Sequence, residues 1–224
     1  MKNSLYIVGT PIGNLRDITE RAKEVLKEVD IVLCEDTRVT AKLLSAFGIN
    51  TPTQTIQQHS TDKELQKIIE SLEEGKSFAL VSDAGTPGIS DPGGKLVALA
   101  VKFGFDVVPI PGVSAVATAL SVCGFPADKF SFLSFPPHKK GRKTFFKELN
   151  DLEETVVLYE SKHRILKTLS ELPQNRPMMV GRELTKMHET LYRGTAPQII
   201  EQIEGSSAKG EFTIVLAPKN WIIL

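Results

Sequence analysis

The chain has 224 residues, 41% apolar and 24% charged, a composition that can bury a core and is comfortable for two small layered domains. Basic and acidic side chains balance at 27 each, so no overall field draws the chain to nucleic acid or membrane, and such binding has to come from local patches. The two cysteines, Cys34 and Cys123, have no partner spacing, which excludes a zinc ribbon and a disulfide framework and suits a reducing cytoplasm.

The opening "MKNSLYIVG" holds too few apolar residues for a secretory segment or a membrane span and reads as a first strand, Leu5–Val8. Further strands are expected at Ile31–Cys34, Thr53–Ile56, Phe78–Val81 and Asp106–Ile110, with amphipathic helices between them. Asp17 with Glu20, and Thr61 with Glu64, have capping-box spacing, and Gly48, Gly75 and Gly104 stand where helices end. This alternation predicts a mostly parallel sheet covered on both faces. After Gly112, "GVSAVATALSVCG" reads as a helix of small residues. Strands follow at Phe130–Phe135, Thr155–Tyr159, Met178–Val180, Glu189–Arg193 and Glu211–Leu216, with helices near Lys143–Asn150, His163–Leu172 and Pro197–Glu204. Two successive strands without a helix between them, around 178–193, imply an antiparallel pair in a mixed sheet. The fold class is therefore α/β, in two domains, 1–113 and 114–224, meeting near Pro111–Ser114.

Ligands of open α/β sheets bind beyond the carboxyl ends of the strands. Three strand ends here carry unusual loops: "GTPIGN" at 9–14, "DAGTPGISDPGG" at 83–94 and "PIPGVSA" at 109–115. Glycine admits close backbone approach and proline fixes a loop before binding, so the three together predict a preformed pocket. "GTPIGN" is neither the dinucleotide fingerprint nor a Walker loop, although Glu35 ends the second strand about where a ribose-binding acid stands in dinucleotide enzymes.

Seven segments occur in order: "YIVGTPIGNLRDIT" (6–19), "CEDTR" (34–38), "SDAGTPGISDPG" (82–93), "PGVSA" (111–115), "YESKHR" (159–164), "GRELTKMHE" (181–189) and "GEFTIVL" (210–216). Together they resemble the ribosomal RNA small subunit methyltransferase I family, within the tetrapyrrole-methylase fold. The resemblance implies S-adenosylmethionine held between two α/β domains, the first forming one wall and the second covering it. It also implies a homodimer, and methylation of the ribose 2′-hydroxyl of a decoding-region cytidine in small-subunit (16S) rRNA, free or in the assembled subunit. Carried over by position, the expected cofactor contacts are Ile12, Asp83, Ala84, Gly85, Thr86, Ile89, Ser114 and Ala115, with Tyr159 or Glu160 and Leu184 from the second domain. Thr86 replaces an acid common in small-molecule members, and the C-terminal helical extension of many relatives does not follow "GEFTIVL" here.

Methyl transfer to a hydroxyl needs collinear oxygen, methyl and sulfur, and a group to take the proton. Glu35 with Arg38 is the preferred catalytic pair because both end a strand on the ligand edge; Glu183, Lys186 and His188 form a second candidate cluster. His59, His138 and His163 are isolated, and no ligand spacing calls for a metal. Phosphate contact is expected from Lys139, Lys140, Arg142 and Lys143 and from Lys162, His163 and Arg164, while Phe130, Phe132 and Phe135 read as core. Three other readings stay open: a tetrapyrrole methylase of the same fold, a nucleotide-dependent oxidoreductase with Glu35 on a ribose, and an idle RNA-binding protein.

Overall fold

In the computed structural model, described for residues 3–57, 60–206 and 208–221, the chain divides into two compact units, Met1–Ser114 and Ala115–Leu224. His59 lies outside the described residues.

Five short apolar runs make the sheet of the first unit: β1 (Ser4–Val8), β2 (Ile31–Cys34), β3 (Thr53–Thr55), β4 (Phe78–Leu80) and β5 (Asp106–Ile110). All are parallel, in the order β3-β2-β4-β1-β5. Helices α1 (Glu20–Glu28), α2 (Thr37–Ala46), α3 (Asp62–Glu73) and α4 (Gly94–Lys102) connect them. Alternate strand residues serve opposite faces. Tyr6, Val8, Val32 and Ala79 pack with Val25 and Leu26 of α1 and Leu44 of α2. Leu5, Leu33, Phe78 and Leu80 pack with Leu65 and Ile69 of α3 and Leu96 of α4. Both faces are dry, which is why the central strands carry unbroken apolar runs. Parallel pairing also places every C-terminal strand end, with its loop, on one edge.

Local signals place most helix ends. Thr61 and Glu64 form the expected capping box, and Gly48, Gly75 and Gly104 take φ of 66°, 96° and 80°. Asp17 does not cap α1. It belongs to a 3-10 turn, and Thr19 accepts the Ala22 N–H at 3.1 Å instead. β3 and β4 each stop one residue early, although Ile56 and Val81 still donate to Cys34 O and Leu33 O.

The second unit opens with α5 (Ala115–Cys123), β6 (Phe130–Phe132), α6 (Arg142–Asp151), β7 (Thr155–Ser161) and α7 (Ile165–Glu171). It closes with β8 (Met178–Arg182), β9 (Thr190–Gly194), α8 (Ala196–Glu204) and β10 (Glu211–Leu216). The sheet order is β6-β7-β10-β8-β9, with β6 parallel to β7 and every other pair antiparallel. One face buries Val156, Leu158, Val180 and Ile214 under Phe146 of α6, Leu169 of α7 and Ile199 of α8. β6 ends at Phe132, short of Phe135, because the chain bends at Ser134, φ 56°. β9 begins after Glu189, whose N–H donates to Lys186 O and whose carboxylate accepts the Thr185 N–H at 2.6 Å, tying it into the preceding loop.

Candidate active site

Three loops leave the C-terminal edge of the first sheet and bind one another through backbone. Gly9 donates to Ile110 O at 3.0 Å, and Thr10 pairs with Gly85 in both directions, at 2.9 and 3.1 Å. The buried Thr10 hydroxyl lies 3.2 Å from Ser82 O and 3.3 Å from Gly85 O. A Cβ on Gly9 would stand 2.8 Å from Gly112 Cα, so those two loops touch where any side chain would part them. Gly85 has φ 81°, and a Cβ there would meet Ile12 Cγ2 at 3.4 Å and Val113 O at 3.8 Å. Thr86 Oγ1 donates to Val113 O at 3.4 Å. Ile12, Gly85, Thr86 and the turn leading to Ser114 are thus brought together in one unit. Asp83 and Ala84 lie exposed on the same loop, and Ile89 leaves 45% of its apolar surface open.

β2 and β4 are neighbours, and the residues after them gather three acids. Burial, then repulsion from Asp91 and Asp83, pushes the Glu35 carboxyl up to about 7. Burial and Asp83 raise Asp91 to about 6, against a hydrogen bond from Ser82. Arg38 does not join Glu35. Its side chain is 87% exposed and forks onto Asp36, with Nη2–Oδ2 at 2.6 Å and Nε–Oδ1 at 3.0 Å. Asp36 caps α2 by accepting the Arg38 N–H at 2.8 Å, so the guanidinium closes on the nearest carboxylate and drives it down to about 2. Glu35 is left among acids, half-buried, able to accept a proton near neutrality. Among the described residues no group of three or more His, Cys, Asp or Glu side chains is arranged to hold a metal ion. Sequence reasoning overlooked Asp91; the second aspartate of "SDAGTPGISDPGG" was the available signal.

In the second unit, Tyr159 and Glu160 are consecutive on β7 and so face opposite ways. Glu160 is 1% exposed and shares the helix-covered face with Val156 and Leu158. It accepts from Arg164 Nη2 at 2.7 Å, Thr168 Oγ1 at 2.6 Å and Ser161 N at 2.7 Å, which corrects its expected role as a ligand cover. Tyr159 is half-buried on the other face, with the rings of Phe132 and Phe135 centred 4.9 and 5.5 Å away. Ala115 opens α5, and Leu184 is buried against Gly181, where a Cβ would come within 2.7 Å of its Cδ2. Lys186 bridges Glu183 at 3.0 Å and Glu211 at 2.8 Å, so the second candidate cluster is a closed ion network beside an exposed His188.

Two expected phosphate contacts are also corrected. Arg142 is 5% exposed; it binds Glu171 through Nε and Nη2, Thr168 through Nη2 at 2.8 Å and Pro137 O through Nη1 at 2.8 Å. Arg164 is divided between Glu160 and Pro136 O, the latter at 2.8 Å. Lys139, Lys140, Lys143, Lys162, His138 and His163 remain exposed. Phe130 and Phe135, read as core, are exposed as well, because β6 lies at the sheet edge and the chain turns out at Ser134.

Residues 4–200 match the family model of tetrapyrrole (corrin/porphyrin) methylases. The chain is 45% identical over 218 residues to a ribosomal RNA small subunit methyltransferase I from Synechocystis sp., covering 95% of this chain and 78% of that one. A protein of the same name from Thermotoga maritima is 42% identical over 219 residues, covering 96% of this chain and 99% of the relative. Among solved structures, a diphthine synthase superposes with a TM-score of 0.74 at 15% identity, covering 96% of this chain and 90% of that chain. A uroporphyrin-III-C-methyltransferase from Thermus thermophilus gives 0.66 at 21%, over 96% and 94% of the two chains. These structural likenesses show the fold.

Proposed function

The chain belongs to the tetrapyrrole methylase family and, within it, to the ribosomal RNA small subunit methyltransferase I group, and from that premise we propose how it acts. It is an S-adenosylmethionine-dependent methyltransferase of small-subunit rRNA, and it methylates the 2′-hydroxyl of a cytidine ribose in the decoding region. The observation that carries this reading is the convergence of Ile12, Gly85 and Val113–Ser114 on one sheet edge.

The residues there suit the methyl donor. The space a Gly85 Cβ would enter is bounded by Ile12 and Val113 O, and the loops are tied by backbone hydrogen bonds, so little ordering remains for binding to cost. Three carboxylates nearby favour a cationic ligand. S-adenosylmethionine supplies an electrophilic methyl group on a sulfonium. Gly85, Thr86 and Ile12 hold and orient it, the exposed Ile89 shields the apolar side from water, and Glu35 accepts the proton of the ribose hydroxyl. A carboxylate near 7 matches that task better than an ordinary one near 4.5.

The cytoplasm as location and a homodimer as assembly belong to the same reading, and among the described residues no helix is long and apolar enough to cross a membrane. Mass spectrometry of 16S rRNA from cells with and without the protein tests the proposal. One 2′-O-methylcytidine should vanish on deletion and return with the wild type. Unaltered rRNA in the deletion strain would refute it.

A further inference from the structure

Sequence alone offers two separate basic segments, around 139–143 and 162–164. The folded second unit joins them. Arg164, at the end of the turn after β7, donates to Pro136 O, and Arg142, opening α6, donates to Pro137 O, each at 2.8 Å. The same guanidinium groups bind Glu160 and Glu171, and Thr168 bridges the two halves, donating to Glu160 and accepting from Arg142. The loop between Ser134 and Gly141 is therefore clamped at two consecutive carbonyls by the buried Arg142 and the partly buried Arg164, each already paired with a carboxylate.

What this clamp presents is different in kind. Lys139, Lys140, Lys143 and Lys162 are exposed and make no ion pair among the described residues, so the surface is locally positive although the chain is neutral. Beside them Phe135 keeps 49% of its surface open while its ring is braced on Tyr159, itself backed by Phe132. Exposed lysines on the same loop as a braced, open ring, with Lys162 brought to that loop by the Arg164–Pro136 bond, are the elements that bind unpaired nucleotides: cations for the backbone, a π-face for a base. A duplex would leave the ring unused, because its bases are already stacked.

From this juxtaposition we infer that the loop Phe135–Lys140, with Lys143 and Lys162, is a preformed platform for an unpaired RNA segment. Phe135 stacks on a base, the four lysines contact phosphates, and Arg142 and Arg164 are positioning residues that never touch the RNA. The inference deepens the rRNA reading and rests on it for the identity of the RNA.

The test measures binding of a fluorescent single-stranded oligoribonucleotide about twelve nucleotides long, and of the same sequence as a duplex, from about 50 mM salt upward. The wild type should prefer the single strand. Lys139→Ala/Lys140→Ala/Lys162→Ala should weaken binding at least about tenfold and lower the logarithmic salt slope by about 2. Phe135→Ala should weaken it about 5- to 100-fold without altering the slope, and Phe135→Trp should restore it. Arg164→Lys keeps the charge but cannot span Glu160 and the Pro136 carbonyl. It should raise the RNA KM with kcat unchanged, and adding Phe135→Ala should cost little more, because both act through one ring. Equal or better binding of the duplex, or lysine and Phe135 variants within about twofold of wild type, would overturn the platform. Full additivity of Arg164→Lys with Phe135→Ala would overturn the positioning role. Calorimetry with S-adenosylmethionine on the same proteins keeps the readings apart: lost cofactor binding in the wild type would count against the methyltransferase and leave the RNA result standing.

Discussion

Two strand-end loops of this molecule are made rigid by opposite means. The loop after β4 is held by backbone: Thr10 pairs with Gly85, Gly9 lies against Gly112, and glycine is needed because side chains would push the loops apart. The loop after β6 is held by side chains, with the guanidinium groups of Arg164, partly buried, and Arg142, buried, on the carbonyls of Pro136 and Pro137. The first method packs the backbone groups of three loops against one another, the arrangement proposed above to take a small ligand. The second hides its charges inside and leaves the outer surface free for lysines and an aromatic ring, suited to a polymer.

The difference can be broken from either side. The largest effect is expected from Glu160→Ala, which strands Arg164 without its carboxylate and should cost about 3–5 kcal/mol in urea denaturation. A loss under about 1 kcal/mol would reduce the clamp to an ordinary surface pair. Next comes Gly85→Val, where a β-branched residue meets φ 81° and its branches would enter the space between Ile12 and Val113 O. S-adenosylmethionine affinity should fall about 100-fold, equivalent to about 2.7 kcal/mol, in calorimetry of a protein that still melts cooperatively. Near-normal affinity there would remove the backbone-tied loops as the proposed cofactor site.

Glu35→Gln should lower kcat about 100-fold and flatten the pH profile. As proton acceptor Glu35 must be ionised, so the wild-type rate should climb with pH through about 7. Stability runs the other way. A carboxyl raised from 4.5 to about 7 in the fold binds its proton more tightly than in the unfolded chain, so folding stability declines across that window as pH rises. Glu35→Gln should remove that decline, a gain of up to about 1 kcal/mol at pH 8 once solvent screening is counted. A rate insensitive to pH between 5 and 8 would dismiss Glu35 as the base. The smallest effect belongs to Arg38→Ala: an exposed fork onto Asp36 should change kcat less than about twofold and stability by less than about 1 kcal/mol.

Much of the architecture was legible because both faces of the first sheet are buried, so its strands advertise themselves as apolar runs between capped helices. That the three loops share one edge was legible for the same reason: parallel strands leave their ends together. Side-chain partners were harder to read. Arg142 looked like part of a basic run, yet Arg142, Phe146 and Leu149 stand at i, i+4 and i+7, one inward helical stripe. Glu160 alternates with Leu158 and Val156 and so faces the core, a period-2 signal outweighed by its neighbours in "YESKHR". Arg38 was assigned to Glu35 rather than Asp36 because a linear pattern does not say which of two adjacent carboxylates caps a helix.

The Thr10–Gly85 bridge spans 75 positions, and Gly9 meets its neighbour only after β5 has been made. Such long-range closure is slow to nucleate, and it delays docking of the three loops until nearly the whole first unit has been synthesised. A chain interrupted within β5 would present the helices but not the three docked loops, so protease sensitivity of stalled nascent chains should drop only once Gly112 is free to dock.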